Sequence, residues 1–134
     1  MTKPSPSQLL ISHLEWSIRH LEDSLKRETS DYFQNAALQR FRFTFELTLK
    51  TLKAHATEQG ATLDNKDCVN YALERGWINT LEDWEHIDAC YNDLVKTPPQ
   101  NAKEIFLELG AFAKSFESLY QQMKKDIQPH PLNA

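Results

Sequence analysis

The sequence predicts an all-α protein, an up-and-down bundle of about five helices built on a four-helix core, with residues 1–134 as one domain and loose ends at 1–6 and 127–134. Three observations predict it. Glycine is scarce, with only Gly60, Gly76 and Gly110 in 134 residues. An all-β domain of this size needs many tight turns, and those turns lean on glycine and Asn-Gly pairs. Residues 7–59, 61–75 and 77–97 hold neither glycine nor proline, and apolar side chains recur there at intervals of three and four.

The first helix is expected over residues 7–28, where Leu10, Leu14, Ile18 (or Ser17), Leu21 and Leu25 form one face. Pro4 and Pro6 precede it, and Ser7 is the candidate N-cap. Thr29 and Ser30 mark a break, and Ser30 caps a second helix over about 31–58 that Gly60 closes from the C′ position. A short third helix spans 65–75, capped by Asp64 or Asn65, with Val69 and Leu73 inward and Gly76 at its end. Thr80 and Asp83 resemble a capping box for a fourth helix, whose inner face is Leu81, Trp84, Ile87, Tyr91 and Leu94. Thr97, Pro98 and Pro99 stop it. The fifth runs over about 100–126 with Ile105, Leu109, Phe112, Phe116, Leu119 and Met123 inward, and Gly110 is a candidate point of close helix packing. The tail after it reads as frayed, and no repeat or low-complexity segment is present.

One stretch argues locally for a strand. In QRFRFTFELTLKTLK, residues 39–53, Phe41, Phe43, Phe45, Leu47 and Leu49 alternate with Arg42, Thr44, Glu46 and Thr48. Neither end supplies turn chemistry, so the stretch belongs inside the second helix. There, positions two apart lie about 200° apart around the axis. Phe41, Phe45, Leu49 and Leu52 then form one stripe, extended by Leu38, and Phe43 and Leu47 form a second on nearly the opposite side. A helix apolar on two sides is covered on two sides, so Phe43 and Leu47 are the candidate homodimer interface.

Composition excludes several classes. A net charge of −4 gives no strong nucleic-acid signal. No apolar run approaches the roughly 18 residues of a membrane span, and no continuous apolar signal segment opens the chain, so no membrane role and a cytoplasmic location are expected. Cys68 and Cys90 lack CxxC spacing and metal-ligand context, and read as reduced, buried small residues.

The chemistry-bearing groups are few. Arg40, Arg42, Lys50 and Lys53 are candidates for a basic stripe that takes a nucleotide or other phosphate-bearing ligand. The competing reading pairs Arg40 and Arg42 with Glu46 and other carboxylates. EDWEHID, residues 82–88, places Glu85 with Asp88, and Asp83 with His86, at metal-ligand spacing, but acidic groups near a helix N-terminus are normally a solvated face. No metal and no cofactor is therefore assigned. His13, His20, His55 and His130 read as surface residues, and no Ser-His-Asp or Cys-His arrangement is legible, so no catalytic residue is assigned.

LQRFRFTFELTLKTLKAHATEQG resembles the signature of the nucleotidyltransferase substrate-binding protein family, a branch of the HEPN superfamily. Gln39, Arg40, Phe41, Phe43, Thr44, Glu46, Leu47, Lys50, Leu52 and Lys53 match that signature; Arg42 stands where the family usually has Glu, and Leu49 where it usually has Trp. The similarity continues through NKDCVNYALERGWI, Trp84 and AKEIF. It implies a helical bundle, commonly a homodimer, that partners a minimal nucleotidyltransferase. The pair is similar in outline to the two domains of aminoglycoside nucleotidyltransferases, and it overlaps toxin–antitoxin pairs of this type.

Arg40, Arg42, Glu46, Lys50 and Lys53 are accordingly the candidate ligand- and partner-binding residues. One departure from the superfamily bears on activity. HEPN ribonucleases carry an Arg followed after four to six residues by a His, and none of the arginines at 19, 27, 40, 42 and 75 has one. Cys90 or Tyr91 falls near the Arg position, and Val95 or Lys96 near the His. Gly-Ser followed by Asp-x-Asp, the mark of a nucleotidyltransferase, is also missing. The leading expectation is a non-catalytic substrate-binding subunit. The alternatives are a degenerate HEPN-type ribonuclease toxin and a ligand-free dimeric scaffold.

Overall fold

A computed structural model describes residues 3–27 and 30–129. Among these the chain forms α1 (Pro6–Ser24), α2 (Asp31–Glu58), a 3-10 turn (Asn65–Asp67), α3 (Cys68–Glu74), α4 (Glu82–Leu94) and α5 (Ala102–Asp126). No described residue is in a strand, and residues 39–53 lie wholly inside α2.

The cross-links give the topology. Ser7 meets Glu58 and Ser17 meets Thr44, so α1 and α2 are antiparallel. Arg19 meets Glu117 and Tyr120 meets Glu15, so α1 and α5 are antiparallel too. His86 against Glu108 and Trp84 against Phe116 set α4 antiparallel to α5. The result is the expected up-and-down bundle of α1, α2, α4 and α5, with α3 a short cap against α2. One cluster of buried side chains runs through it, centred on Phe41, Phe45, Phe116, Leu52, Leu109 and Met123.

The helix ends follow local chemistry. Ser5, not Ser7, caps α1. Its hydroxyl accepts from the Gln8 N–H at 3.3 Å, and Gln8 Oε1 accepts from the Ser5 N–H at 2.8 Å, a full capping box with Pro6 at N1. Ser7 is freed to donate to Glu58 at 2.7 Å. The helix ends at Ser24 rather than near 28. Ser30 caps α2 as expected. Gly60 and Gly76 both have positive φ, 86° and 76°, and each closes a Schellman motif: Ala61 N–H to Ala56 O with Gly60 N–H to Thr57 O, and Trp77 N–H to Ala72 O with Gly76 N–H to Leu73 O.

Other expectations are corrected. In α3 the expected Val69 and Leu73 are partly buried against the core, while Cys68 and Ala72, which the periodicity did not single out, are its fully buried residues. Thr80 and Asp83 form no cap; Leu81 takes the N-cap of α4 with no side-chain bond. Gly110 is exposed and a Cβ there would meet nothing within 4 Å, so it is no close-packing point. Ile127, expected in the loose tail, is buried, and its N–H donates to Met123 O. His130 lies outside the described residues.

The alternation in α2 also resolves differently. Thr44, Thr48 and Thr51 are as buried as the apolar residues between them. Each hydroxyl donates to the carbonyl four residues earlier, at 2.7–2.8 Å, and Ser17 lies 2.6 Å from the Thr44 hydroxyl. A buried hydroxyl satisfied within its own helix costs little, so the threonines of the pattern can turn inward, with Thr44 against Ser17 of α1. Leu47 is covered within the single chain at 7% exposure, whereas Phe43 stands 46% exposed.

Candidate functional site

α2 carries the residues that sequence put forward for binding. On a helical wheel Arg42, Glu46 and Lys53 share one side, Lys50 lies about 80° from Arg42, and Arg40 lies about 160° away. The structure therefore gathers part of the stripe and separates Arg40 from it. The expected ion pairs do not form: no described carboxylate lies within ion-pair distance of Arg40 or Arg42. Glu46 is taken by Tyr91 of α4, whose hydroxyl donates to it at 2.5 Å. Arg42 Nη1 reaches only Gln39 at 3.5 Å, and its Nε is buried with no hydrogen-bond partner among the described residues. Lys53 is held by Asn65 Oδ1 and Lys50 is exposed. Burial first, then the Glu46 carboxylate, pushes the Tyr91 hydroxyl up to about 12, so it serves as a donor and stays protonated.

α4 is bordered by three recesses. The first, about 380 Å³, lies between Trp77, Thr80, Asp83 and Trp84 on one side and Ser115, Ser118 and Gln122 of α5 on the other. A second, about 350 Å³, lies between Asp83 and His86 of α4 and Glu108, Phe112, Lys114 and Ser115 of α5. A third, about 230 Å³, adjoins Lys66, Asn70, Glu85 and Asp88. The first two share Asp83 and Ser115, so they adjoin as a groove along the α4–α5 seam, mainly polar in the first recess and mainly apolar in the second. Trp84 floors it with its ring edge-on to Phe116 at 5.5 Å.

At the groove's second recess His86 does not pair with Asp83, the spacing that the sequence suggested. Its Nε2 lies 2.9 and 3.0 Å from the Glu108 carboxylate oxygens. Cys90, read from sequence as lacking ligand context, has its Sγ 3.7 Å from that same Nε2 and 3.8 Å from Glu108 Oε2. Sequence spacing missed this grouping because Glu108 sits on another helix. The i, i+4 relation of His86 and Cys90 was the available signal. Burial, then Glu108, pushes the Cys90 thiol up to about 11, and burial does the same for Cys68.

His55 corrects the reading of the histidines as surface groups. It is 5% exposed, with Nδ1 2.6 Å from the Tyr71 hydroxyl and its ring edge-on to Trp77 at 5.0 Å. Arg75 lies over both aromatic rings. Burial, then Arg75, lowers its pKa from 6.5, so the imidazole is neutral, a structural part of the α2–α3 junction. His20 is half-buried against Trp16, and His13 is exposed.

At the positions matching the HEPN pair, Cys90 is buried and Tyr91 is bound to Glu46, while Val95 and Lys96 are exposed. Lys96 pairs with Asp93 at 3.0 Å. These side chains supply no Arg–His pair.

The model of the family described as nucleotidyltransferase substrate binding protein like matches residues 9–125, which takes in all of α2, α3 and α4 and nearly all of α1 and α5. The chain belongs to this family. No curated protein matches it. The match covers the α2 signature, the α4–α5 groove and both Schellman turns alike, so membership extends to the whole bundle rather than to one motif. No described helix is long and apolar enough to cross a membrane.

Proposed function

We propose that this chain is the non-catalytic, substrate-binding subunit of a separately encoded minimal nucleotidyltransferase, in a pair of the toxin–antitoxin type. The observation that carries this reading is the family match over 9–125. Two surfaces suit the two tasks. The α4–α5 groove, with tryptophan and serine walls and Asp83 at its edge, has the size of a small-molecule site and polar groups to orient a ligand. Arg42, Lys50 and Lys53 along α2, free of described ion pairs, suit the phosphates of a nucleotide held by the partner. Phe43, half exposed beside them, is where a second copy of the chain docks to give a homodimer.

The test is co-purification of this chain with the small nucleotidyltransferase from the adjacent reading frame, followed by nucleotide-transfer assays with and without it. A stable complex and transfer that depends on this chain are expected. Arg42→Ala with Lys50→Ala should weaken nucleotide-dependent assembly while leaving the fold intact. A partner that works equally well alone, with no complex formed, rules the proposal out. RNA cleavage by the purified chain alone favours the ribonuclease alternative instead.

A further inference from the structure

His86 and Cys90 lie one turn apart on the same face of α4, and Glu108 faces them from α5. An ordinary surface ion pair accounts for two of the three. His86 and Glu108 are each about half exposed, and such pairs form readily between adjacent helices. It does not account for Cys90. A buried free cysteine usually behaves as a small apolar group, yet this one, 5% exposed, has its sulfur within 4 Å of both an imidazole nitrogen and a carboxylate oxygen.

The spacing of the three donors is that of ligands around one ion. A tetrahedral centre with bonds of about 2.0 Å to nitrogen and oxygen and about 2.3 Å to sulfur keeps N and O about 3.3 Å apart, and either of them about 3.5 Å from S. The corresponding separations here are 2.9, 3.7 and 3.8 Å, and all three donor atoms lie within 4.8 Å of one another. Adjustments of a few tenths of an ångström separate the two arrangements, and Glu108, a long half-exposed side chain, can supply them. The ring of Phe112 packs edge-on to His86 at 5.7 Å and restrains its tilt.

We propose that His86, Cys90 and Glu108 bind one divalent transition-metal ion of the zinc class. The donor set selects the class. A thiolate with an imidazole suits a borderline-soft ion, whereas calcium and magnesium demand a shell of oxygens. One thiolate and one carboxylate balance the charge of the ion, and the thiol proton passes to solvent as the sulfur–metal bond forms. Three protein ligands leave a fourth position. His86 and Glu108 line the recess of about 350 Å³ that Asp83, Lys114 and Ser115 edge, so water or a ligand oxygen can reach the ion from it and complete the coordination.

The site is contained in this chain, so it is tested without a partner, and its outcome is independent of the nucleotidyltransferase reading. The full-length chain is stripped with a chelator, then titrated with Zn(II) by calorimetry and with Co(II) by absorption spectroscopy. One ion per chain, a thiolate-to-cobalt charge-transfer band and a rise in Tm with zinc are expected. H86Q and E108Q, both on exposed side chains, should weaken zinc binding about tenfold or more, since loss of a group that merely supports a ligand already costs about 10–100-fold. C90S should abolish the charge-transfer band; should it fail to fold, the other two variants decide. Lack of stoichiometric uptake, a cobalt complex with no thiolate band, or binding unchanged in H86Q and E108Q overturns the proposal.

Discussion

Leu47→Ala and Phe43→Ala lie about one turn apart on neighbouring faces of α2, and they should behave differently. Leu47 is 7% exposed in the single chain, and truncating a buried leucine costs about 2–4 kcal/mol in lost transfer energy and residual cavity. For a chain of this length roughly 4 °C of Tm accompanies each kcal/mol, so a fall of about 8–16 °C is expected at every protein concentration. Phe43 is 46% exposed. Of roughly 200 Å² that a phenylalanine can bury, roughly 90 Å² is therefore left for a partner, worth about 2 kcal/mol per protomer at about 25 cal/mol per Å². Phe43→Ala should change stability little in dilute samples and lose the extra stability that the wild type gains on concentration. Urea unfolding at two protein concentrations, read beside light scattering, measures both effects. A Leu47→Ala variant within 0.5 kcal/mol of wild type (about the range of surface substitutions) would refute the burial argument. A wild type that stays monomeric would remove Phe43 as an interface residue. Equal, concentration-independent losses at both positions would show that Phe43 is core.

The two other predictions concern backbone and charge. Gly110→Ala should stabilise the protein by about 0.5–1 kcal/mol, since the position is an exposed helix interior with open space for a Cβ; Gly60→Ala, at φ 86°, should destabilise it by about 1–2 kcal/mol despite equally open space. Thermal scans of the two variants should move in opposite directions, and a stabilised Gly60→Ala would contradict the Schellman assignment. Because the folded-state pKa of His55 lies below 6.5, the unfolded chain takes up its proton first as pH falls. Stability from this group is complete above about pH 6.5 and is lost below it, with a slope of at most about 1.4 kcal/mol per pH unit for one proton. A Tm profile between pH 7.5 and 5 should flatten in His55→Gln (roughly the window set by the ordinary histidine pKa), and an unchanged slope would assign the dependence to another group.

Local order was legible because its causes are local. Ser30 at a cap, Gly60 and Gly76 at helix ends, and the spacing of Ile105, Leu109, Phe112 and Phe116 each depend on residues within a turn or two. The α2 signature carried the family for the same reason: it is a contiguous string. Composition alone separated a helical bundle from a sheet protein, since three glycines cannot serve the turns that a sheet of this size requires. Ser5 against Ser7 at the first cap shows the limit even there, because two serines and two prolines alternate over residues 4–7 and leave two starts of similar merit; in the fold Ser5 caps and Ser7 reaches Glu58.

What the tertiary structure decided is which way each helix turns and what it meets. Phe43 and Leu47 are equivalent in sequence, yet the folded chain covers Leu47 and leaves Phe43 half exposed. Thr44, Thr48 and Thr51 read as polar positions, and only the folded chain showed that helix carbonyls satisfy their hydroxyls. Glu46 belongs to Tyr91 rather than to Arg42, and His86 to Glu108 and Cys90 rather than to Asp83, because the decisive partner sits 45, 22 or 18 residues away on another helix. Periodicity gives the apolar face of a helix; the rotation of that helix against its neighbours is set by the fit of side chains along the whole seam, a property of the assembled core that no single stretch of sequence contains.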